Sequence, residues 1–164
     1  MFRKFVNKYL MKMGSFKKRT LVVMLAMCFL VGCEVRKYID VSEQEPYRSV
    51  LGYKFKSNID LLAIGVTFDQ NYKGDADYVF LMARPGISGP QVKFEKTLPK
   101  GAEFKVVGVL KSDRIFGSRL LYVVKYPEDH SLEKYPLVIK IFDDIESPNK
   151  GLNLEEFIFL GRSP

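Results

Sequence analysis

From Tyr47 onward, short apolar runs alternate with polar residues at the two-residue period of half-buried strands. Tyr53-Lys-Phe-Lys56 alternates, and so does Gln91-Val-Lys-Phe-Glu95. Between Arg119 and Tyr126 the pattern puts Leu120, Tyr122, Val124 and Tyr126 on one face. Between Tyr135 and Phe142 it does the same for Leu137, Ile139 and Ile141. These runs are rich in Val, Ile, Tyr and Phe, which suit a pleated, half-buried surface. Turn residues separate them: Asn71–Gly74, Arg84–Pro90, Leu98–Gly101, Phe116–Ser118, Pro127–Asp129 and Ser147–Gly151. Leu98-Pro-Lys-Gly101 suits a type I turn, with Pro second and Gly fourth.

About seven or eight short strands at this spacing predict one all-β domain over 47–164, a small antiparallel barrel or a sandwich. No long window carries the helical period. A short C-terminal helix fits Asn153–Leu160, with Asn153 as its cap, and a final strand fits those residues equally. Residues 33–46 read as a tether, polar and almost without periodicity, although a short first strand or helix is open there.

The amino-terminal segment has a different pattern. Lys17, Lys18 and Arg19 precede the apolar run Leu21–Val31, the arrangement of a secretory signal peptide over residues 1–32. The uncharged stretch from Thr20 to Cys33 would span roughly 21 Å as a helix, short of the ~30 Å hydrocarbon core of a bilayer. Length therefore favours export over a membrane span.

The run ends in Leu30-Val31-Gly32-Cys33, which resembles the lipobox of bacterial lipoproteins. The resemblance covers about residues 11–33. It implies that the Cys33 thiol takes a diacylglycerol in thioether linkage and that a peptidase cuts between Gly32 and Cys33. The freed amino group of Cys33 would then accept a further acyl chain such as palmitate. Two or three chains give stable anchoring where one is marginal. Cys28 does not fit, because bulky Met27 precedes it. The basic region before the apolar run is long, so Met11 or Met13 is a second candidate start. In such lipoproteins Asp after the cysteine tends to retain the protein in the inner membrane. Glu34 stands here, which implies the periplasmic face of the outer membrane.

Charge changes the picture once the chain is divided. Arg3, Lys4, Lys8, Lys12, Lys17, Lys18 and Arg19 precede the cut, with no acidic residue among them. They account for the whole net charge of +7, so the exported body is neutral. A neutral body argues against a nucleic-acid binder, whose affinity would come mostly from basic contacts to phosphates. With Cys28 removed and Cys33 acylated, neither of the 2 cysteines can form a disulfide. A core built on about 130 residues is enough to hold the fold.

Candidate chemistry is sparse. One histidine, His130, lies in a turn and reads as solvated. A zinc protease needs two histidines on one helix face, and no Gly-x-Ser-x-Gly nucleophile turn is present. Asp69–Phe80 partly resembles a calcium loop, but Lys73 and Phe80 stand where ligands belong, so it reads as an acidic hairpin loop. No metal or cofactor is expected. Asp143, Asp144 and Glu146 could serve a peptidoglycan hydrolase, yet charges at a strand end also deter edge pairing. The most distinctive loop is Arg84-Pro85-Gly86-Ile87-Ser88-Gly89-Pro90, a stiff segment with an apolar tip. It is either a recognition element or a connection whose Ile87 folds back into the core. Tyr122, Tyr126 and Tyr135 could line a binding face, although core packing is the ordinary role of such residues.

Leu98–Val109 looks like the turn and strand of bacterial SH3-like barrels, without the tryptophans of those modules, and favours a barrel. The expectation is a non-enzymatic, membrane-anchored binding or assembly module with an envelope protein as partner. The alternative is an inhibitor or immunity lipoprotein against a periplasmic toxin or hydrolase.

Overall fold

The computed structural model describes residues 38–112, 119–142 and 145–162. Gly32 and Cys33 lie outside these residues, as do Asp143 and Asp144. The chain divides into two units, 1–35 and 36–164, and every described residue belongs to the second. It is all-β. Its strands are β1 Tyr38–Asp40, β2 Tyr53–Ser57, β3 Leu61–Val66, β4 Tyr78–Met82, β5 Val92–Leu98, β6 Glu103–Ser112, β7 Leu120–Lys125, β8 Leu137–Lys140 and β9 Phe157–Arg162. Two 3-10 turns, Tyr47–Val50 and His130–Leu132, complete the regular structure.

All the strands belong to one sheet in the order β5-β3-β4-β8-β7-β6-β2-β9. Strand β1 pairs with the far end of β6, Tyr38 opposite Ser112, while β2 pairs with its beginning, Phe55 opposite Phe104. Neighbours are antiparallel except β4 and β8. Two short connections dictate the shape. Strands β2 and β3 lie near opposite ends of the order, yet residues 58–60 alone join them. That link reaches at most roughly 14 Å. Five strand spacings in a flat sheet would need about 24 Å. Residues 99–102 make a similar jump from β5 to β6. The sheet must therefore curl until its two ends face each other across the core. It does not close: β5 and β9 remain the ends of the order, so the barrel favoured by the Leu98–Val109 resemblance is corrected to a sandwich or open sheet.

The main core fills the curl. Phe55 is fully buried and stacks on Phe104 with ring centroids 5.6 Å apart; Phe157 meets Phe55 edge-on at 5.4 Å. Leu61 and Ala63 of β3, Val79 and Leu81 of β4, and Leu137 and Ile139 of β8 join the same cluster. Tyr122 is buried there, and its hydroxyl donates to the Lys150 carbonyl at 2.6 Å. Strand β3 is buried on both faces. Its Leu62, Ile64 and Val66 form a second cluster with Phe80, Met82, Ile87 and Val92. Strands β4 and β5 flank β3, so the loop joining them must cross it. That crossing is Arg84–Pro90.

Three expectations resolve in detail. Of the two readings of the carboxy-terminal segment the strand is present, as β9, paired along β2 from Tyr53–Arg162 to Ser57–Phe157. Asn153 does accept a backbone hydrogen bond, from Glu155 at 3.1 Å, but it caps only a turn. Strand pairing wins because it delivers Phe157 to Phe55. The tight turn after β5 falls one residue later, with Ala102 N–H bonded to the Pro99 carbonyl at 3.2 Å. Gly101 then sits third, at φ +92°, a conformation that suits glycine. Within 33–46, the short first strand left open by the sequence is present as β1, Tyr38–Asp40. Polar side chains of this segment serve the backbone: Ser42 Oγ accepts from Val109 N–H at 2.8 Å and donates to Asp40 at 2.5 Å.

Candidate functional site

A bulge shapes one open concavity among the described residues. Val106 pairs with Val124 and Gly108 with Val123, leaving Val107 as an extra residue in β6. Bulges re-aim side chains, and Val107 is turned away from the core, 40% exposed. Val107 and half-buried Val123 floor an open groove of about 440 Å³. The chain leaving β7 forms its other wall, through Pro127, Tyr135 and Pro136. Lys125 and Glu133 bring opposite charges to the lining.

The second wall is held from behind by β5. Phe94 packs on Tyr135 at a centroid distance of 5.3 Å, and Lys96 pairs with Asp129. Asp129 also caps the 3-10 turn, accepting from Ser131 N–H at 3.0 Å and Ser131 Oγ at 2.6 Å. The bonds from Lys96 and Ser131 hold the Asp129 carboxyl down to about 2. Tyr126 lies buried at the base of the wall with its hydroxyl on Glu128 at 3.0 Å. Burial first, and then the bond to the Glu128 carboxylate, push that hydroxyl up to about 12. The wall is thus a fixed element. An apolar floor, an aromatic side and one charge of each sign suit a segment of another protein.

The sequence candidates fall as follows. Of the three tyrosines, Tyr122 is a core residue, Tyr126 is buried in the core and reaches the groove lining, and Tyr135 lines the groove. Ile87 is half-buried on the second cluster, so the tip of the Arg84–Pro90 loop is folded back onto β3. Gly86, at φ +80°, is pressed so closely that an added Cβ would lie 2.8 Å from Ile64 Cδ1 and 2.9 Å from Leu62 Cδ1. Arg84, Pro85, Ser88, Gly89 and Pro90 are exposed around this contact. His130 has a side chain 85% exposed, with Nδ1 2.9 Å from Glu133.

The acidic hairpin loop turns its carboxylates onto its own backbone. Asp69 accepts from Lys73 N–H at 2.8 Å, and Asp77 from Phe68 N–H at 2.7 Å. The bond from Lys73 first, then those from Asn71 and Gly74 with Lys93 nearby, hold Asp69 below the usual carboxylate range against the opposing effect of desolvation. Among the described residues no group of three or more His, Cys, Asp or Glu is placed to share a metal, and no helix is long and apolar enough to cross a membrane.

Sequence reasoning missed Val107. The available clue was Val106-Val107-Gly108, two successive apolar residues and a glycine inside a strand, which together mark a bulge. No family model, curated protein or solved structure matches this chain.

Proposed function

We propose that the chain is a lipid-anchored envelope protein on the periplasmic face of the outer membrane. Its β domain binds another envelope protein and performs no chemistry of its own. The carrying observation is Leu30-Val31-Gly32-Cys33 at the end of a basic and then apolar segment. The bulge-floored groove supports the binding half of the reading, because it offers apolar and aromatic surface beside charges of both signs.

Cys33→Ser tests the anchor. In cells fed a labelled fatty acid, the unchanged chain should carry label and migrate as the cleaved form. The variant should accumulate as an unlabelled precursor. Label in the variant would refute the assignment of Cys33.

A photo-crosslinking residue tests the groove. Placed at Val107 in the lipidated chain, it should capture one envelope protein in near-stoichiometric yield, and the same residue at exposed Leu154 should not. Capture of a secreted hydrolase or toxin at Val107 would replace the assembly role with that of an inhibitor. Equal yields at the two positions would remove the groove from the binding surface.

A further inference from the structure

Four aromatic rings gather where the described fold begins. Tyr38, the first residue of β1, has its ring centroid 5.5 Å from Tyr78 and 6.1 Å from Phe68. Phe68 lies 5.8 Å from Tyr78, and Phe80 lies 6.5 Å from Tyr78. The rings come from β1, from β4 and from the residues just after β3, so the fold assembles the cluster. Each ring is half-buried and keeps part of its surface in solvent. Ile39, next to Tyr38, is an exposed apolar residue.

The position of this cluster along the chain indicates what it meets. Four residues separate Cys33 from Tyr38, five Cα–Cα steps and a reach of at most about 17 Å whatever their conformation. An acylated Cys33 sits at the boundary between acyl chains and headgroups. The headgroup layer is itself roughly 5–8 Å deep on each side. Tyr38 and the rings packed on it are therefore confined to the membrane surface or just above it. Tyrosine suits that boundary, since its ring is apolar and its hydroxyl can stay wet. In the sequence, Arg36 and Lys37 stand between anchor and cluster, two positive charges of the kind that lipid phosphates attract. The carboxylates of Asp40 and Asp77 beside the rings are already bonded, to Ser42 N–H at 2.9 Å and Phe68 N–H at 2.7 Å.

We propose that Tyr38, Phe68, Tyr78 and Phe80 form the face with which the domain rests on the bilayer, so that the anchored protein holds one orientation. The proposal depends on the anchor reading above.

The chain contains 0 Trp, so a single introduced tryptophan is an unambiguous reporter. Full-length Phe68→Trp would be purified with its lipid, its acylation read by mass, and reconstituted into phosphatidylethanolamine-rich vesicles with brominated acyl chains. Bromolipid should reduce its emission by about half, as expected for a ring at the interface. Leu160→Trp is the distal control. It lies in β9 beside the Phe55–Phe104 level, eight residues along β6 from Ser112 or about 26 Å, and should keep its emission. Tyr38→Trp serves as a second reporter should Phe68→Trp fail to fold. Equal quenching at the proximal and distal positions of an acylated chain overturns the proposal and leaves the anchor standing. Absence of acylation overturns the anchor reading and this proposal with it.

Discussion

Phe55→Ala should lower the stability of the domain by about 3–5 kcal/mol, the range for deleting a buried aromatic ring. Phe55 has no exposed surface, and it joins β6 to β9 through the stacked Phe104 ring and the edge-on Phe157 ring. Removing it leaves a cavity between three strands. Backbone pairing of β2 with both neighbours prevents that cavity from collapsing fully. Aromatic pairs add about 0.5–1.5 kcal/mol beyond area burial, and two such pairs are lost. A domain of this size has about 5–15 kcal/mol in total, so the variant would be close to unfolding. Urea denaturation is the measurement: the midpoint should fall while the slope stays the same. A loss under about 1 kcal/mol would mean that Phe55 does not organise the core.

The second large effect is expected at Gly65. This glycine sits in the middle of β3, directly opposite Phe94 of β5. The Phe94 ring lies across it, and an added Cβ would fall under 3.0 Å from three ring carbons. Gly65→Ala must displace that ring, and overpacking of this kind costs about 1–3 kcal/mol. Gly65→Val should cost more. The displaced ring is the one that supports Tyr135, so the groove wall would also loosen. A double-mutant cycle isolates the cause. If the clash with Phe94 is responsible, Gly65→Ala should cost much less in a Phe94→Ala background. Additive losses would instead assign the effect to the strand itself.

These two residues also show how far the fold can be read from the sequence. Phe55 was legible, because Tyr53-Lys-Phe-Lys56 alternates and one face of β2 is buried. Strands β7 and β8 were legible for the same reason, with Tyr122, Val124, Leu137 and Ile139 placed inward. Strand β3 was not. Leu-Leu-Ala-Ile-Gly-Val is buried throughout and has no period to detect. The second layer that buries it is a loop, and the Pro and Gly residues of Arg84–Pro90 indicated stiffness without indicating a lid over β3. Strand β1 was hidden in the opposite way, since Asp40 and Ser42 use polar side chains to complete backbone pairing. The groove depends on one bulge residue and on a wall supported from a strand about 40 residues earlier in the chain. Neither relation leaves a local pattern.

The pairing of β2 has a consequence for the order in which the molecule is made. Phe55 lies opposite Phe159, near the other end of the chain. As the chain is synthesised amino end first, β2 can find β6 but must wait for residues 157–162 to find β9. Until then one side of an early strand stays open, and the Phe55 ring lacks its Phe157 neighbour. Contacts of such long sequence separation form slowly. The completed domain therefore waits on its latest strand: residues 157–162 close the structure that residues 53–57 began.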